Sequence, residues 1–271
     1  MNGMVLEDLS KKYVLKAGFF KQLSGKAGVV SAVDHVSFQM KEGEIVGLVG
    51  ESGCGKTTLG KMLLKIEDIT SGKAYIDGVD LASVRGRKEI LEFRKKVQMI
   101  FQDPYDSLDP KFTIREIVAE PLRSLKLCRS AEEINKRVEE TLQLVELTPV
   151  KLYTERYPHQ LSGGQRQRTA AARAIITDPA LVLADEPTGA LDSKSAKLLL
   201  DRFEVLNRQR AATILMVTHD AFTASYCHRI LFLQDGAIFS QLERGSRSRR
   251  DFFREIIGVV TALGGDQSDV L

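Results

Sequence analysis

The sequence has few of the features that mark secreted, membrane-spanning or nucleic-acid-binding proteins. Its 271 residues include only three cysteines, which lie far apart and form no CxxC pair, so we expect neither a disulfide framework nor a metal knuckle. No apolar run approaches the roughly 20 residues that a membrane-spanning helix needs, and the opening residues MNGMVLEDLSKKY contain no signal-peptide apolar region. The net charge of +3 is too mild to indicate nucleic-acid binding. These absences predict a cytosolic protein that would serve a membrane only from its cytoplasmic surface.

Strand-like and helical patterns alternate along the chain and indicate an α/β fold. Four apolar runs without polar alternation are typical of strands in a parallel sheet that is covered on both faces. Asp-Gly pairs at 77–78 and 235–236, each between strand-like residues, predict two β-hairpins. The four apolar runs lie at 45–49, 97–101, 180–184 and 213–217.

Helical periodicity predicts the elements between these strands. Apolar residues share one helical face from Leu59 to Ile66, directly after Gly55. A second amphipathic helix is predicted from Ser130, with Glu133 in capping-box spacing. The stretch from about 103 to 178 is mostly helical, which predicts a helical subdomain inserted into the α/β core.

The C-terminal residues 241–271 are expected to form a tail, predicted to be helical, after a main domain that spans 4–240. One helical face carries Phe252, Phe253, Ile256 and Val260. We expect this face to pack against the tail's own domain, with membrane binding as the alternative.

The strongest chemical signal is GESGCGKT at 50–57, which matches GxxxxGK[ST] between an apolar strand and an amphipathic helix. Glycines let backbone N–H groups and the helix N-terminus face a phosphate group. We expect Lys56 to reach the β- and γ-phosphates of a nucleotide, and the Thr57 hydroxyl to bind Mg²⁺. The residues predicted to line this loop site are Gly50, Glu51, Ser52, Gly53, Cys54, Gly55, Lys56, Thr57 and Thr58.

Two adjacent carboxylates end the apolar strand at 180–184. In enzymes with such a loop, an acid at this strand's tip holds Mg²⁺, usually through water, and Asp185 is predicted to do so. Glu186 can then act as the general base for an attacking water, worth about 10²–10⁴-fold in rate. Two acids at a strand end can also be mere surface charge, but the upstream loop favours the catalytic interpretation.

A third motif, LSGGQ at 161–165, distinguishes among nucleotide-hydrolysing classes. Ser162 and Gln165 have capping-box spacing, and two glycines allow close approach to a further phosphate. This segment resembles the signature of ABC-type ATPases. The resemblance implies an α/β P-loop NTPase (RecA-like) core with a mostly parallel sheet, an antiparallel β subdomain and an inserted helical subdomain. It also implies hydrolysis of ATP with Mg²⁺ as cofactor.

The resemblance further implies a dimer in which two cassettes sandwich two ATP molecules. Ser162 and Gly164 would then bind the γ-phosphate of the ATP held by the opposite subunit, with Gly163 and Gln165 beside them. Asp192, in ALD at 190–192, matches the D-loop that crosses the dimer seam.

Three single residues match other positions of that family. Gln102 matches the Q-loop glutamine, which senses Mg²⁺ and water and reports to the transmembrane permease. His219 matches the switch histidine that contacts the γ-phosphate. Tyr13 is placed like the aromatic residue that stacks on adenine, although a simple packing role is the alternative.

Two subfamilies share the resemblance. Up to about residue 158, for example in FQDP at 101–104, the chain resembles the second ATPase of oligopeptide, dipeptide and nickel importers, as does an insertion around 18–20. From about residue 157, for example in ADEPTGALDSKSA at 184–196, it resembles bacitracin-type antimicrobial peptide exporters.

The permease of such transporters touches the segment that corresponds to 102–158, so peptide or nickel import is expected, with peptide export as the alternative. The expected partners are permease subunits and a second ATPase subunit, identical or different, at the cytoplasmic face of the cell membrane. A soluble ABC ATPase of DNA repair or translation is less well supported, because the chain has one P-loop and no sustained heptads.

Overall fold

A computed structural model describes residues 3–14 and 28–264 of the chain; the expected insertion around 18–20 lies outside the described residues. The strands of the described part are β1 (Gly3–Val14), β2 (Val29–Lys41), β3 (Ile45–Val49), β4 (Ser71–Ile76), β5 (Val79–Asp80), β6 (Val97–Ile100), β7 (Leu181–Asp185), β8 (Ile214–Thr218), β9 (Arg229–Gln234) and β10 (Ala237–Glu243). Its α-helices are α1 (Lys56–Leu63), α2 (Arg87–Lys96), α3 (Pro104–Ser107), α4 (Ile114–Ser124), α5 (Ala131–Leu144), α6 (Gly163–Ile175), α7 (Ser193–Arg210), α8 (Ala221–Ala224) and α9 (Arg249–Gly264).

The central sheet has six strands in the order β10-β9-β3-β8-β7-β6. All neighbours pair in parallel except β10, which forms the predicted hairpin with β9 through Asp235 and Gly236. All residues of β3 and β8 are buried, as expected for strands covered on both faces. Parallel pairing places the carboxyl ends of β3, β8 and β7 side by side, and the candidate site forms at that edge.

A second, antiparallel sheet has the order β2-β1-β4-β5 and contains the other predicted hairpin. Helix α1 lies between the two sheets, where Leu59, Met62 and Leu63 are fully buried. The helix is shorter than predicted, because Lys65 adopts a left-handed conformation with φ of 57° and the Ile66 amide bonds back to the Lys61 carbonyl oxygen. Ile66 is therefore 60% exposed, and its prediction as part of the buried face is wrong.

Helices α3 to α6 form a helical layer with its own apolar residues in the core, including Val118, Leu122 and Leu142. The Ser130 hydroxyl caps α5 by accepting a hydrogen bond from the Glu133 amide at 3.1 Å. The other half of the predicted capping box is absent, since the Glu133 carboxylate accepts from the Arg129 amide instead.

Helix α9 packs on the core through the apolar face that the sequence indicates. Phe252 and Ile256 are fully buried, Phe253 is half-buried, and Val260 is 36% exposed. The Arg249 guanidinium lies 3.8 Å from the ring centroid of Tyr226, which anchors the start of the helix. Within residues 3–14 and 28–264, no helix has the length and apolar character needed to cross a bilayer.

Replacement of Phe252 by alanine tests this packing. A buried phenylalanine truncated to alanine costs about 3–5 kcal/mol in the free energy of unfolding. Ile257→Ala, on the same helix but at a residue that is 43% exposed, is the control, with an expected change within about 0.5 kcal/mol. Because the sequence contains no tryptophan, urea unfolding is followed by circular dichroism. Equal midpoints for the two variants would contradict the packing of α9 on the core.

Candidate nucleotide site

A cavity of about 680 Å³ opens at the carboxyl ends of the central strands. It brings together side chains from the P-loop (residues 50–57), the end of β6, the end of β7 and the end of β8. Four segments that are distant in sequence therefore meet in one site, as predicted for the loop and its acidic strand. Its lining residues are Glu51, Ser52, Gly53, Gly55, Lys56, Thr57, Thr58, Gln102, Asp185, Glu186 and His219.

The P-loop wraps around the ammonium group of Lys56. This group is buried and donates hydrogen bonds to the carbonyl oxygens of Gly50 and Glu51, both at 2.7 Å. At Gly55 the backbone has φ of 107°, and a Cβ atom would lie 2.2 Å from the Ala32 carbonyl oxygen, so only glycine fits there. The helix N-terminus of α1 and the lysine charge together make an electropositive cradle that suits a phosphate anion.

Three oxygen-bearing side chains on this cavity suit Mg²⁺, which prefers oxygen ligands and completes its shell with water and substrate phosphates. Thr57 begins α1, Asp185 ends β7, and Gln102 follows β6. Burial raises the pKa of Asp185, the nearby Glu186 carboxylate raises it further, and Lys56 and Lys61 oppose the shift. A bound dication would favour the ionised form of Asp185, so the residues present fit the metal.

Glu186 and His219 contact each other directly. The Nδ1 atom of His219 lies 2.7 Å from Oε1 of Glu186, and the Thr218 hydroxyl donates to Oε2 at 3.1 Å. An ionised carboxylate can only accept, so the Nδ1 atom carries the proton in this pair. Thr218 was not identified from the sequence, although its hydroxyl at the end of β8, next to His219, is the signal that could have indicated it.

The signature segment (residues 161–165) lies on a different surface from the cavity. Ser162 caps α6 in a complete capping box, and its amide donates to Gln165 Oε1 at 2.9 Å. A Cβ atom at Gly164 would lie 2.6 Å from the Ser195 hydroxyl, so α6 approaches the start of α7 closely. Asp192 caps α7, and hydrogen bonds from Ser195 lower the pKa of Asp192. None of Ser162, Gly163, Gly164, Gln165 and Asp192 lines the cavity of their own chain.

Tyr13 and Cys54 also lie outside the lining of this cavity. Tyr13 is half-buried on β1, with the Lys11 ammonium 4.9 Å from its ring centroid. Cys54 and Gly50 line an adjoining cavity of about 400 Å³ that also contains His219 and Val260.

Gln167, on α6, is a further residue that the sequence motifs did not indicate. Its side chain is 1% exposed, and its amide nitrogen donates to the Phe101 carbonyl oxygen at 3.0 Å. It thereby fixes the residue before Gln102 to the helix that begins at the signature segment. The sequence feature that could have indicated Gln167 is its position two residues after Gln165, the last residue of the signature segment.

Comparisons with known proteins agree with this geometry. The sequence profile described as ABC transporter matches residues 33–189. The chain is 43% identical over 236 residues to the bacitracin export ATP-binding protein BceA of Halalkalibacterium halodurans. This match covers 86% of this chain and 90% of that protein. The chain is also 43% identical over 199 residues to the oligopeptide transport ATP-binding protein OppF of Bacillus subtilis. That match covers 73% of this chain and 65% of that protein.

A solved structure shows the same fold. The ATP-binding cassette MJ0796, in a dimeric post-hydrolysis state bound to ADP and Pi, has a TM-score of 0.76 at 33% identity and covers 89% of this chain and 98% of that chain. The predicted fold class and both resemblances are thus confirmed. The profile match spans more than half of the sequence, and the chain therefore belongs to the ABC transporter family and is an ATPase of that family.

Proposed function

We propose that this chain hydrolyses ATP at a site shared by two subunits, each of which contributes its P-loop to one nucleotide and its signature segment to the other. One observation carries the proposal. Within one chain, Lys56 lines the cavity at the strand ends, whereas Ser162 does not line it and caps the helix whose Gly164 lies beside Ser195. Both groups are suited to bind phosphate, so a second copy must supply one of them to a given nucleotide. The dimeric state of the solved cassette MJ0796 supports this arrangement.

The chemistry then follows from the cavity. Lys56 and the P-loop amides hold the triphosphate, and Tyr13 offers a ring for the adenine base. Thr57, Asp185 and Gln102 would hold Mg²⁺, which would supply positive charge to neutralise the phosphate oxygens. Glu186 accepts the proton of the attacking water.

Closure of a second signature segment over the γ-phosphate excludes water and adds hydrogen-bond donors around the transferred group. The helix N-terminus that Ser162 caps presents such donors. Asp192 lies on the same surface as Ser162 and would contact the partner near the seam. Loss of the γ-phosphate removes the group that both subunits hold, so the dimer opens after hydrolysis.

We further propose that the ATPase drives a permease for peptides or nickel in the import direction, at the cytoplasmic face of the membrane. The residues from 102 to 158 support this, because their importer-like sequence includes helices α3, α4 and α5 of the helical layer that would meet a permease. The similarity to the oligopeptide transport protein OppF has the same implication.

Peptide-antibiotic export is the second candidate. The similarity to the bacitracin export protein BceA, at 43% identity over 86% of the chain, supports it. Sequence after about residue 157, including ADEPTGALDSKSA at 184–196, supports this candidate too.

Glu186→Gln tests the general base. The variant should bind ATP normally and accumulate as a closed dimer, because removal of the base slows turnover by about 10²–10⁴-fold. ATPase rates and size-exclusion chromatography with ATP measure both effects. Glu139→Gln, an exposed acid on α5, is the control and should behave as wild type. Unchanged turnover in Glu186→Gln would refute the assignment.

A mixing experiment tests whether the site is shared. Lys56→Ala should lose nucleotide affinity, and Ser162→Arg should bind ATP as a monomer yet fail to hydrolyse it. A mixture of the two inactive chains should regain activity, because one of the two shared sites then combines an intact P-loop with an intact signature segment. If each chain built its site alone, neither chain in the mixture would carry a complete site, and the mixture would stay inactive. An inactive mixture of folded, dimer-competent chains would therefore contradict the proposal.

Co-purification tests the transport direction. Glu186→Gln is isolated from native membranes in mild detergent with ATP, and its partners are identified by mass spectrometry. Importers of the type proposed pair two different ATPases, so a second ATPase together with permease subunits is expected. A permease with two copies of this chain would favour export, and the absence of any membrane protein would contradict both candidates.

A further inference from the structure

A circuit of hydrogen bonds joins the loop that carries Glu186 to the loop that carries His219. The backbone between Glu186 and Thr188 completes the circuit. Glu186 accepts from the Thr218 hydroxyl at 3.1 Å, and the Thr218 oxygen accepts from the Asp220 amide at 3.0 Å. The Asp220 carboxylate accepts from the Thr223 hydroxyl at 2.6 Å. The hydroxyl oxygens of Thr223 and Thr188 lie 2.7 Å apart. Since Thr188 follows Glu186 by two residues, the circuit returns to the loop in which it began.

The direction of every hydrogen bond in the circuit is fixed. The ionised Asp220 carboxylate can only accept, so the single proton of the Thr223 hydroxyl points to it. The Thr223 oxygen can then only accept, and Thr188 must donate. At Thr218 the oxygen accepts from an amide N–H, so its proton points to Glu186. The Asp220 carboxylate also accepts from the Thr223 amide at 2.9 Å.

Burial prevents water from replacing a lost member of the circuit. Thr218 and Thr223 are fully buried and Thr188 is 8% exposed. Loss of the Thr223 hydroxyl would leave the Thr188 hydroxyl without this partner in a region of low dielectric constant, whereas the Asp220 carboxylate would keep its bond from the Thr223 amide.

The backbone of Glu186 needs such support. It has φ of 44°, a left-handed conformation that is uncommon for residues other than glycine. Its amide donates to the Val217 carbonyl oxygen at 2.8 Å, next to Thr218. A residue in this conformation persists only where surrounding contacts hold it, and the circuit supplies contacts on both sides of it.

We propose that Thr188 and Thr223 are positioning residues that set the orientation of the Glu186 carboxylate. The inference rests on the proposed role of Glu186 as general base and adds two hydroxyl groups that do not line the nucleotide cavity. Loss of either hydroxyl lets the carboxylate rotate away from the attacking water. ATP binding, which depends on the P-loop, is unaffected.

Thr223→Val tests the proposal, because valine keeps the shape of threonine without the hydroxyl. The kcat for ATP should fall about tenfold, equivalent to about 1.4 kcal/mol in the activation barrier, while KM stays within about twofold. Thr223→Ser, which retains the hydroxyl, should restore most of the rate. Thr188→Val should lower kcat as well, and the double valine variant should be no slower than the slower single variant.

Thr141→Val is the matched control. Thr141 is also buried, and its hydroxyl donates to the Arg137 carbonyl oxygen at 2.7 Å within α5, away from the cavity. This variant loses the same buried group, so a similar drop in melting temperature with wild-type kcat separates positioning from general destabilisation.

The tautomer of His219 provides a readout that does not depend on turnover. Long-range ¹H–¹⁵N spectra of the imidazole should show a proton on Nδ1 in the wild type, because that atom faces Glu186. In Thr223→Val the two tautomers should become mixed as the carboxylate moves. A folded Thr223→Val with wild-type kcat or an unchanged His219 tautomer would overturn the proposal.

A Thr223→Ser variant as slow as Thr223→Val, or a Thr141→Val variant that is equally slow, would also overturn it. If Thr223→Val does not fold, Thr188→Val breaks the same circuit from the other loop and is judged by the same measurements. Full turnover in Glu186→Gln would instead refute the general base itself, so the two failures are distinguishable.

Discussion

The site depends on the parallel pairing of β3, β8 and β7. In this register Val49 lies opposite Thr218, and Asp185 lies opposite Val217. The three strands therefore end at the same edge of the sheet. The residues that follow them enter the P-loop, the Glu186 loop and the His219 loop. Parallel strands need helical crossovers between them, which is why residues so distant in sequence meet at one edge.

At that edge, the Lys56 ammonium shares one cavity with the carboxylates of Asp185 and Glu186. The Lys56 ammonium is occupied by two loop carbonyl oxygens rather than by Asp185 or Glu186. Burial is the main cause of the raised pKa of Asp185, and the neighbouring Glu186 carboxylate adds to it. An anionic triphosphate with a dication matches this arrangement, because it supplies negative charge to the lysine and positive charge to the acids.

The P-loop cavity and the signature segment of one chain lie on separate surfaces, yet direct contacts link the elements that carry them. Gln167 ties the segment before Gln102 to the helix that Ser162 caps. Gly164 and Ser195 hold that helix against the start of α7, which Asp192 caps. Direct contacts therefore link the signature segment to the segments around Gln102 and Asp192.

The sequence by itself determined the parts of this protein whose geometry is local. The P-loop, the capping box at Ser162 and both Asp-Gly hairpins depend on neighbouring residues, because glycine torsions and hydrogen bonds across three or four positions define them. The RecA-like core with its antiparallel β subdomain came from a family resemblance rather than from periodicity. Even locally, the left-handed turn at Lys65 was missed, since lysine carries no signal for that conformation.

Only the tertiary structure decided which distant groups meet. The contact of Glu186 with His219, and that of Thr188 with Thr223, join residues more than thirty positions apart, so no spacing rule could reveal them. The same holds for the separation of Lys56 from the signature segment. Packing of strands and helices fixes such distances, because the apolar core allows only one register in which every buried side chain is accommodated.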